Sequence, residues 1–254
     1  MLKSFMEQLW QNDVDPIIND KQKWQIYTSP MRRCLLTTKA LAHSGIPITV
    51  KKDMYESGGC YKYDENGQAH AYPGSTGQEI EEEFKGYVCD EAIPMDKGWY
   101  TRRSKETWRE FEIRSGELVE WLWSLMEQQT HEGIFFVGHG NLISAIINGL
   151  MFETPKNALF IHNNCGLTHL KLTKVNGTKR VVVLQTHNKN NYIATSHLTG
   201  HRAIEDHWLN YYIINMIHSI YSPHPNLASQ LEFYTFHMPL TGYRNSNDLD
   251  LVKL

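Results

Sequence analysis

Residues Ile134–Leu150 have the sequence IFFVGHGNLISAIINGL, and they give the clearest indication of the fold class. The apolar run Ile134–Val137 is typical of a buried strand, and Leu142–Leu150 is typical of the helix that follows such a strand in an α/β sheet. Gly138-His139-Gly140 joins the two and places His139 at the carboxyl edge, where such sheets bind ligands. His139 is therefore a candidate catalytic residue, and a histidine that only caps the turn is the alternative.

The composition limits the classes of function that the chain could have. Its 254 residues are 41% hydrophobic, which is enough for the core of one domain. The 25 Lys and Arg nearly balance the 28 Asp and Glu, so general binding to nucleic acid or to an anionic membrane is not expected. The cysteines lack the spacing of a zinc site or a disulfide framework and indicate reduced thiols: Cys34, Cys60, Cys89 and Cys165.

The amino-terminal sequence MLKSFMEQLWQND predicts an amphipathic helix with mixed charge. It lacks the long apolar run of a signal peptide or a membrane span. We therefore expect an intracellular protein, cytoplasmic or mitochondrial, without a membrane span.

Apolar periodicity predicts strands that alternate with helices, which indicates an α/β fold. The predicted strands are Trp24–Thr28, Pro47–Lys51, Ile134–Val137, Gly166–Leu172, Arg180–Thr186 and Leu231–His237. The predicted helices are Met31–Ser44, Lys105–Gln129, Leu142–Leu150 and Ile204–Ile220. The aromatic stripe of Lys105–Gln129, which includes Trp108, Phe111 and Trp121, is expected in the core. The polar insertion Met54–Glu83 is expected to cover a functional site.

The carboxyl-terminal part divides the chain into two predicted regions. Residues 1–221 are expected to form the α/β domain, and residues 222–254 are expected to form a linker followed by a strand and a tail. This extension packs into the same domain or onto a protein partner, and its aromatic residues are suitable interface material: Trp208, Tyr211, Tyr212, Tyr221, Phe233, Tyr234 and Phe236.

The segment Ser29–Thr38, SPMRRCLLTT, places Arg32 and Arg33 in the first turn of a helix that follows a strand. Free backbone N–H groups and a guanidinium can converge there on one anion, as in half of a phosphate cradle. Together with Gly138-His139-Gly140 and Glu56, this segment resembles the histidine phosphatase superfamily, which has the phosphoglycerate mutase-like fold. The other matching stretches follow in the family's order between about Trp24 and Leu198: YESGG (55–59), GWY (98–100), VGHGNLI (137–143), HNNCGLTHLKL (162–172) and SHL (196–198).

The resemblance implies a three-layer α/β/α fold with a mostly parallel sheet and a two-step phosphoryl transfer through a histidine nucleophile. Arg33 matches the family's second arginine, with Arg32 as the alternative, and His139 matches its second histidine. Glu56 matches the proton donor, although Glu79 or Glu81–Glu83 are alternatives. Asn141 is a candidate polar contact to phosphate, with helix capping as the other explanation. The implied ligand is a phosphorylated small molecule or a phosphate ion, and no metal or other cofactor is implied.

The sequence departs from the family at the nucleophile, which lies there in an Arg-His-Gly motif on the first strand. Only 28 residues precede Ser29, and none of them is histidine. Leu231–His237 is a candidate replacement, which would make the chain a circular permutant with His237 as the nucleophile. Phe236 then stands in place of the arginine and Met238 in place of the glycine. An edge strand or a partner-binding arm is the alternative for this segment.

Three functional hypotheses follow from this departure. The first is a degenerate phosphate site with weak or no turnover, in a protein that serves a structural or regulatory role in an assembly. The second is an active phosphomonoesterase or mutase that works through a phosphohistidine at His237, with Arg32 and Arg33 together replacing the missing charge. The third is an incomplete reading frame whose Arg-His-Gly strand lies upstream.

Overall fold

The computed structural model describes residues 20–152 and 158–191, and the backbone of residues 230–237. Its strands are β1 (Trp24–Thr28), β2 (Ile48–Val50), β3 (Tyr61–Tyr63), β4 (Ala69–Ala71), β5 (Tyr87–Cys89), β6 (Gly133–Gly138), β7 (Leu167–Val175), β8 (Lys179–Lys189) and β9 (Gln230–His237). The α-helices in the described residues are α1 (Arg32–Thr38), α2 (Gly77–Glu83), α3 (Trp108–Gln128) and α4 (Gly140–Met151).

One 7-stranded sheet, with the strand order β5-β2-β1-β6-β9-β7-β8, forms the middle of the molecule. The strands β5, β2, β1, β6 and β9 run parallel to one another, and β7 is antiparallel to both of its neighbours, β9 and β8. Helices α3 and α4 pack on one face, and α1 packs on the other. The fold is therefore the predicted α/β architecture with a mostly parallel sheet. No helix in the described residues has the length and apolar character needed to cross a bilayer.

Strand β6 is buried along its whole length because it is covered on both faces. Ile134 and Phe136 belong to the apolar cluster formed with α3 and α4. Phe135 and Val137 belong to the cluster on the opposite face, which includes residues of α1. The continuous apolar run of this strand thus follows from its central position in a parallel sheet.

The register of β1 on β6 is supported by a close contact between Trp24 and Gly133. These residues are direct partners, and a Cβ atom at Gly133 would lie 2.4 Å from the Trp24 ring. The Trp24 ring also stacks on Phe135, with 5.1 Å between the ring centroids. At the other end of the pair Thr28 is opposite Val137, so the residues that follow both strands come together at one edge.

Strand β9 lies between β6 and β7. It pairs in parallel with β6 from Gly133 opposite Glu232 to Gly138 opposite His237, and antiparallel with β7. The predicted strand Leu231–His237 is therefore present and begins one residue earlier, at Gln230. The predicted helix Ile204–Ile220 and the amino-terminal helix lie outside the described residues.

Two predicted segments differ from the structure. The helix expected over Met31–Ser44 ends at Thr38 and is followed by a 3-10 turn, after which Gly45 adopts a left-handed φ of 77°. The insertion Met54–Glu83 is not only a loop, because it contains the β3-β4 hairpin and helix α2. A capping box between Thr76 and Glu79 starts that helix, since each residue's side chain accepts a hydrogen bond from the other's backbone N–H.

We expect Thr235→Pro to lower the free energy of unfolding by about 1–3 kcal/mol, because proline removes a backbone donor from a strand that is paired on both edges. Thr235 is opposite Phe136 in β6 and Thr168 in β7. Urea unfolding of the full chain measures the change, and Thr235→Val, which keeps the donor, is the matched control. Equal unfolding midpoints for the two variants would contradict the placement of β9 in the sheet.

Candidate active site

The carboxyl ends of β1 and β6 meet at the edge of the sheet where ligands bind in α/β folds. The backbone N–H of Ser29, which follows β1, donates to the carbonyl of Val137 at 3.1 Å. Helix α1 begins three residues after Ser29, and His139 lies between β6 and α4. The first turn of α1 and the imidazole of His139 are therefore brought together by the strand pairing.

Arg33 and His139 form the centre of the site. The Arg33 guanidinium donates to Nδ1 of His139 through Nε at 3.1 Å and through Nη2 at 2.8 Å. Because Nδ1 accepts both bonds, the proton of the neutral ring is on Nε2, which donates to Ser29 Oγ at 2.8 Å. His139 occupies the N-cap position of α4, but its side chain does not cap the helix. The capping interpretation of His139 is therefore wrong.

Cys34 lies beneath His139 and is completely buried. Its Sγ is 3.4 Å from Nε2 of His139 and donates to the carbonyl of Gly138 at 3.6 Å. Burial raises the pKa of the Cys34 thiol to about 12. Cys34 is thus a protonated packing residue, because a nucleophilic cysteine needs a lowered pKa.

Glu56 faces the amino terminus of α4. Its carboxylate accepts hydrogen bonds from the backbone N–H groups of Ser57 at 2.8 Å, Leu142 at 3.3 Å and Asn141 at 3.4 Å. Burial raises the pKa of Glu56, and the backbone N–H donors and the charge of Arg33 oppose this effect. A raised pKa favours the protonated form of the carboxyl group, which is the form that a proton donor needs.

A buried ion pair holds the chain that leads to Glu56. Arg114 Nη1 donates to the carbonyls of Asp53 at 2.6 Å and Tyr55 at 3.0 Å, directly before Glu56. Arg114 also donates to both carboxylate oxygens of Glu106, at 2.8 and 2.7 Å, and the two residues are each 4% exposed. Sequence reasoning missed this pair. The signal was an arginine inside the apolar stripe of α3, which requires a buried partner.

Arg33, Glu56 and His139 line a cavity of about 480 Å³, which we call the Arg33–His139 pocket. Its wall is formed by Arg33, Glu56, Ser57, Gly58, Tyr61, Lys105, Glu106, Thr107, Trp108, Phe111, His139 and Asn141. The volume is in the range of small-molecule sites. Within residues 20–152 and 158–191, no three His, Cys, Asp or Glu side chains are grouped so that they could hold a metal ion.

Asn141 lines the pocket but is not a helix cap. Its side-chain amide donates to Ser57 Oγ at 3.0 Å, and this contact links α4 to the loop that carries Glu56. The capping explanation for Asn141 is therefore wrong, because the helix begins at Gly140 and Asn141 lies inside its first turn.

Arg32 lies outside the pocket, because its guanidinium pairs with Glu83 and stacks near the Phe84 ring. The other carboxylates considered as proton donors are also engaged elsewhere. Glu79 completes the capping box of α2, and Glu81 accepts from the backbone N–H of Cys89. Of the candidate acids, Glu56 is the one that lines the pocket.

The prediction that Trp108 is a core residue is wrong. Trp108 is the first residue of α3 and is 65% exposed, whereas Phe111 from the same stripe is buried. Trp108 nevertheless lines the pocket, and its exposure places it where the pocket meets solvent. We call this end of the pocket, with Tyr61, Lys105 and Trp108, its mouth.

The backbone of β9 brings His237 to the same edge of the sheet. His237 is opposite Gly138, and His139 is the next residue along the chain from Gly138. Phe236, the residue before His237, is opposite Val137 in β6 and Leu167 in β7.

A family model described as the histidine phosphatase superfamily (branch 1) matches residues 18–185, which is well over half of the 254-residue chain. The chain belongs to the histidine phosphatase superfamily. A search of curated proteins found no match to it. The resemblance inferred from Arg33, Glu56 and His139 is thus confirmed at the level of the family, and the matched range includes the strands β1 and β6 that carry the site.

The raised pKa of Glu56 in this histidine phosphatase fold predicts a pH-dependent stability. The folded state holds the proton more tightly than the unfolded chain, so this stabilisation is complete below the unfolded-state pKa and is lost as the pH rises through the folded-state pKa. Glu56→Gln does not titrate. We expect its free energy of unfolding, relative to wild type, to rise as the pH increases above about pH 4, the unfolded-state pKa of a glutamate.

Glu110→Gln is the matched control for this measurement. The N–H and the hydroxyl of Thr107 lower the pKa of Glu110, so its contribution is present above the unfolded-state pKa and is lost as the pH falls. The stability difference from wild type should therefore change with pH in the opposite direction. A Glu56→Gln difference that is flat or falls with pH would contradict the raised pKa.

Proposed function

We propose that the chain binds a phosphorylated small molecule in the Arg33–His139 pocket and transfers the phosphoryl group weakly or not at all. In this proposal the protein is a degenerate member of the histidine phosphatase superfamily with a structural or regulatory role in an assembly. The observation that carries the proposal is the convergence of Arg33, His139 and Glu56 in one pocket.

The chemistry of these groups supports the phosphate-binding part of the proposal. Arg33 supplies a guanidinium whose N–H donors match the geometry of phosphate oxygens. The backbone N–H groups of Asn141 and Leu142 at the start of α4 donate to the Glu56 carboxylate, so this helix terminus favours negative charge beside Arg33 and His139. His139 lies beside Arg33 and can donate a hydrogen bond to a phosphate oxygen when it is protonated.

The sequence of β9 indicates that His237 is not an effective nucleophile, which supports weak or absent turnover. Phe236 and Met238 flank His237, where the family motif has arginine and glycine. An arginine at this position would stabilise the transferring phosphoryl group. Loss of one such donor typically lowers the catalytic rate constant by about 10²–10³-fold. The absent glycine would let phosphate approach the backbone closely.

A second candidate function is an active phosphomonoesterase or mutase that uses His237, and the register of His237 opposite Gly138 favours it. In this candidate β9 serves as the counterpart of the family's first strand in a circularly permuted chain. The His237 imidazole attacks phosphorus, the P–O ester bond breaks, and the leaving oxygen takes a proton from Glu56. Glu56 then accepts a proton from the water that attacks the phosphohistidine, and inorganic phosphate is released with His237 restored.

Binding of inorganic phosphate tests the pocket itself. We expect Arg33→Met to weaken it about tenfold or more in calorimetry, because the substitution removes charge-assisted hydrogen bonds to the anion. Arg32→Met is the matched control, since Arg32 is adjacent in the same helix but pairs with Glu83. If both variants bind phosphate as tightly as wild type, or if wild type does not bind it, the proposed function is wrong.

Hydrolysis of 4-nitrophenyl phosphate separates the two candidates. The first proposal predicts that any hydrolysis is weak and is unchanged in His237→Ala. The second predicts turnover that is abolished in both His237→Ala and His139→Ala, with an acid-labile phosphoryl enzyme after rapid quenching. Turnover lost in both variants would overturn the first proposal, and absence of turnover in wild type would overturn the second.

A further inference from the structure

The mouth of the Arg33–His139 pocket contains side chains that the phosphate chemistry does not use. Tyr61 comes from β3, Lys105 precedes α3, and Trp108 is the first residue of that helix. They line the same cavity as Arg33 and His139. A phosphomonoester held by its phosphate at Arg33 would extend its organic group toward this mouth.

Trp108 offers an exposed aromatic surface that is fixed in place. It is 65% exposed, although a tryptophan is usually well buried. Its indole Nε1 donates to Glu112 at 3.0 Å, and its ring packs against Phe111 with 5.1 Å between centroids. The indole is therefore oriented before a ligand arrives, and stacking a planar ring on it costs little side-chain entropy.

Lys105 supplies a positive charge at the mouth without an acidic partner among the described residues. Its ammonium group donates to Tyr63 Oη at 3.2 Å and lies 4.3 Å from the centre of the Tyr61 ring. These contacts with aromatic rings position the charge but do not neutralise it.

The acids of the pocket do not neutralise Lys105. Glu106 is held by the bidentate contact with Arg114 and accepts a third bond from Tyr55 Oη at 3.0 Å. The pKa of Glu56 is raised by burial, and its carboxylate faces the backbone of α4. The mouth is thus suited to a ligand with a second negative charge.

We propose that the pocket selects phosphomonoesters whose organic group is a planar aromatic ring carrying a further anionic substituent, with the ring stacked on Trp108 and the substituent paired with Lys105. This inference rests on the proposed function, because it takes the phosphate to lie at Arg33. It goes beyond that function by naming the substrate class and the two residues that select it.

A series of non-hydrolysable phosphonates tests this selection independently of turnover. Methylphosphonate measures the phosphate end alone, and benzylphosphonate and cyclohexylmethylphosphonate compare a planar ring with a non-planar ring. 4-Carboxybenzylphosphonate adds the anion. We expect calorimetry on the full chain to find the tightest binding for 4-carboxybenzylphosphonate, followed by benzylphosphonate and cyclohexylmethylphosphonate, and the weakest for methylphosphonate.

Variants assign the selection to the two residues. Trp108→Leu should lower the affinity for benzylphosphonate about tenfold, which corresponds to a stacking contact of about 1.4 kcal/mol. The affinity for methylphosphonate should not change. 4-Carboxybenzylphosphonate should bind more tightly than benzylphosphonate, and Lys105→Met should reduce this difference in affinity about threefold, as expected for an exposed ion pair. The matched controls are Ile113→Ala, another exposed apolar residue of α3, and Lys62→Met, whose ammonium contacts the Tyr72 ring outside the pocket wall.

The outcomes distinguish this inference from the proposed function. If methylphosphonate binds in an Arg33-dependent way but all four ligands bind equally, the selection at the mouth is wrong and the proposed function stands. If no phosphonate binds, both are wrong. A control variant that changes affinity as much as Trp108→Leu or Lys105→Met would also overturn the selection.

Discussion

Strand β6 is covered on both faces and paired on both edges, and the site depends on this arrangement. A shift of one residue in the register of a strand moves each side chain to the opposite face. The Trp24 ring leaves no room for a side chain at its partner, Gly133, so the register of β1 on β6 is tightly constrained. Ser29 and His139 come together because of this register, and Arg33 follows within the next helix.

Two carboxylates of the site have different environments and therefore different properties. Glu106 is buried but fully compensated, because it shares both oxygens with Arg114. Glu56 accepts hydrogen bonds from backbone amides, and burial raises its pKa. The same residue type thus serves as a structural anchor in one place and as a candidate acid in the other. Arg114 connects the two, since it also binds the backbone carbonyl of Tyr55 beside Glu56.

The sequence was informative where one local pattern determines the structure. Ile134–Val137 was predictable as a central strand because burial on both faces requires a continuous apolar run. The choice between Arg32 and Arg33 depended on the family resemblance, because the pairing of Arg32 with Glu83 is a tertiary contact across 51 positions. Trp108 was assigned to the core because periodicity shows which face of a helix is apolar, but it does not show which end of that helix is exposed to solvent.

The hydrogen bonds between Arg33 and Nδ1 of His139 have an energetic consequence for every anion that enters the pocket. The lone pair of the imidazole and the oxygens of the anion compete for the same guanidinium donors. Binding is therefore an exchange of acceptors, and its free energy is the difference between two favourable contacts. The histidine acts as a built-in competitor, which limits affinity for weak acceptors and favours oxygens that carry full negative charge.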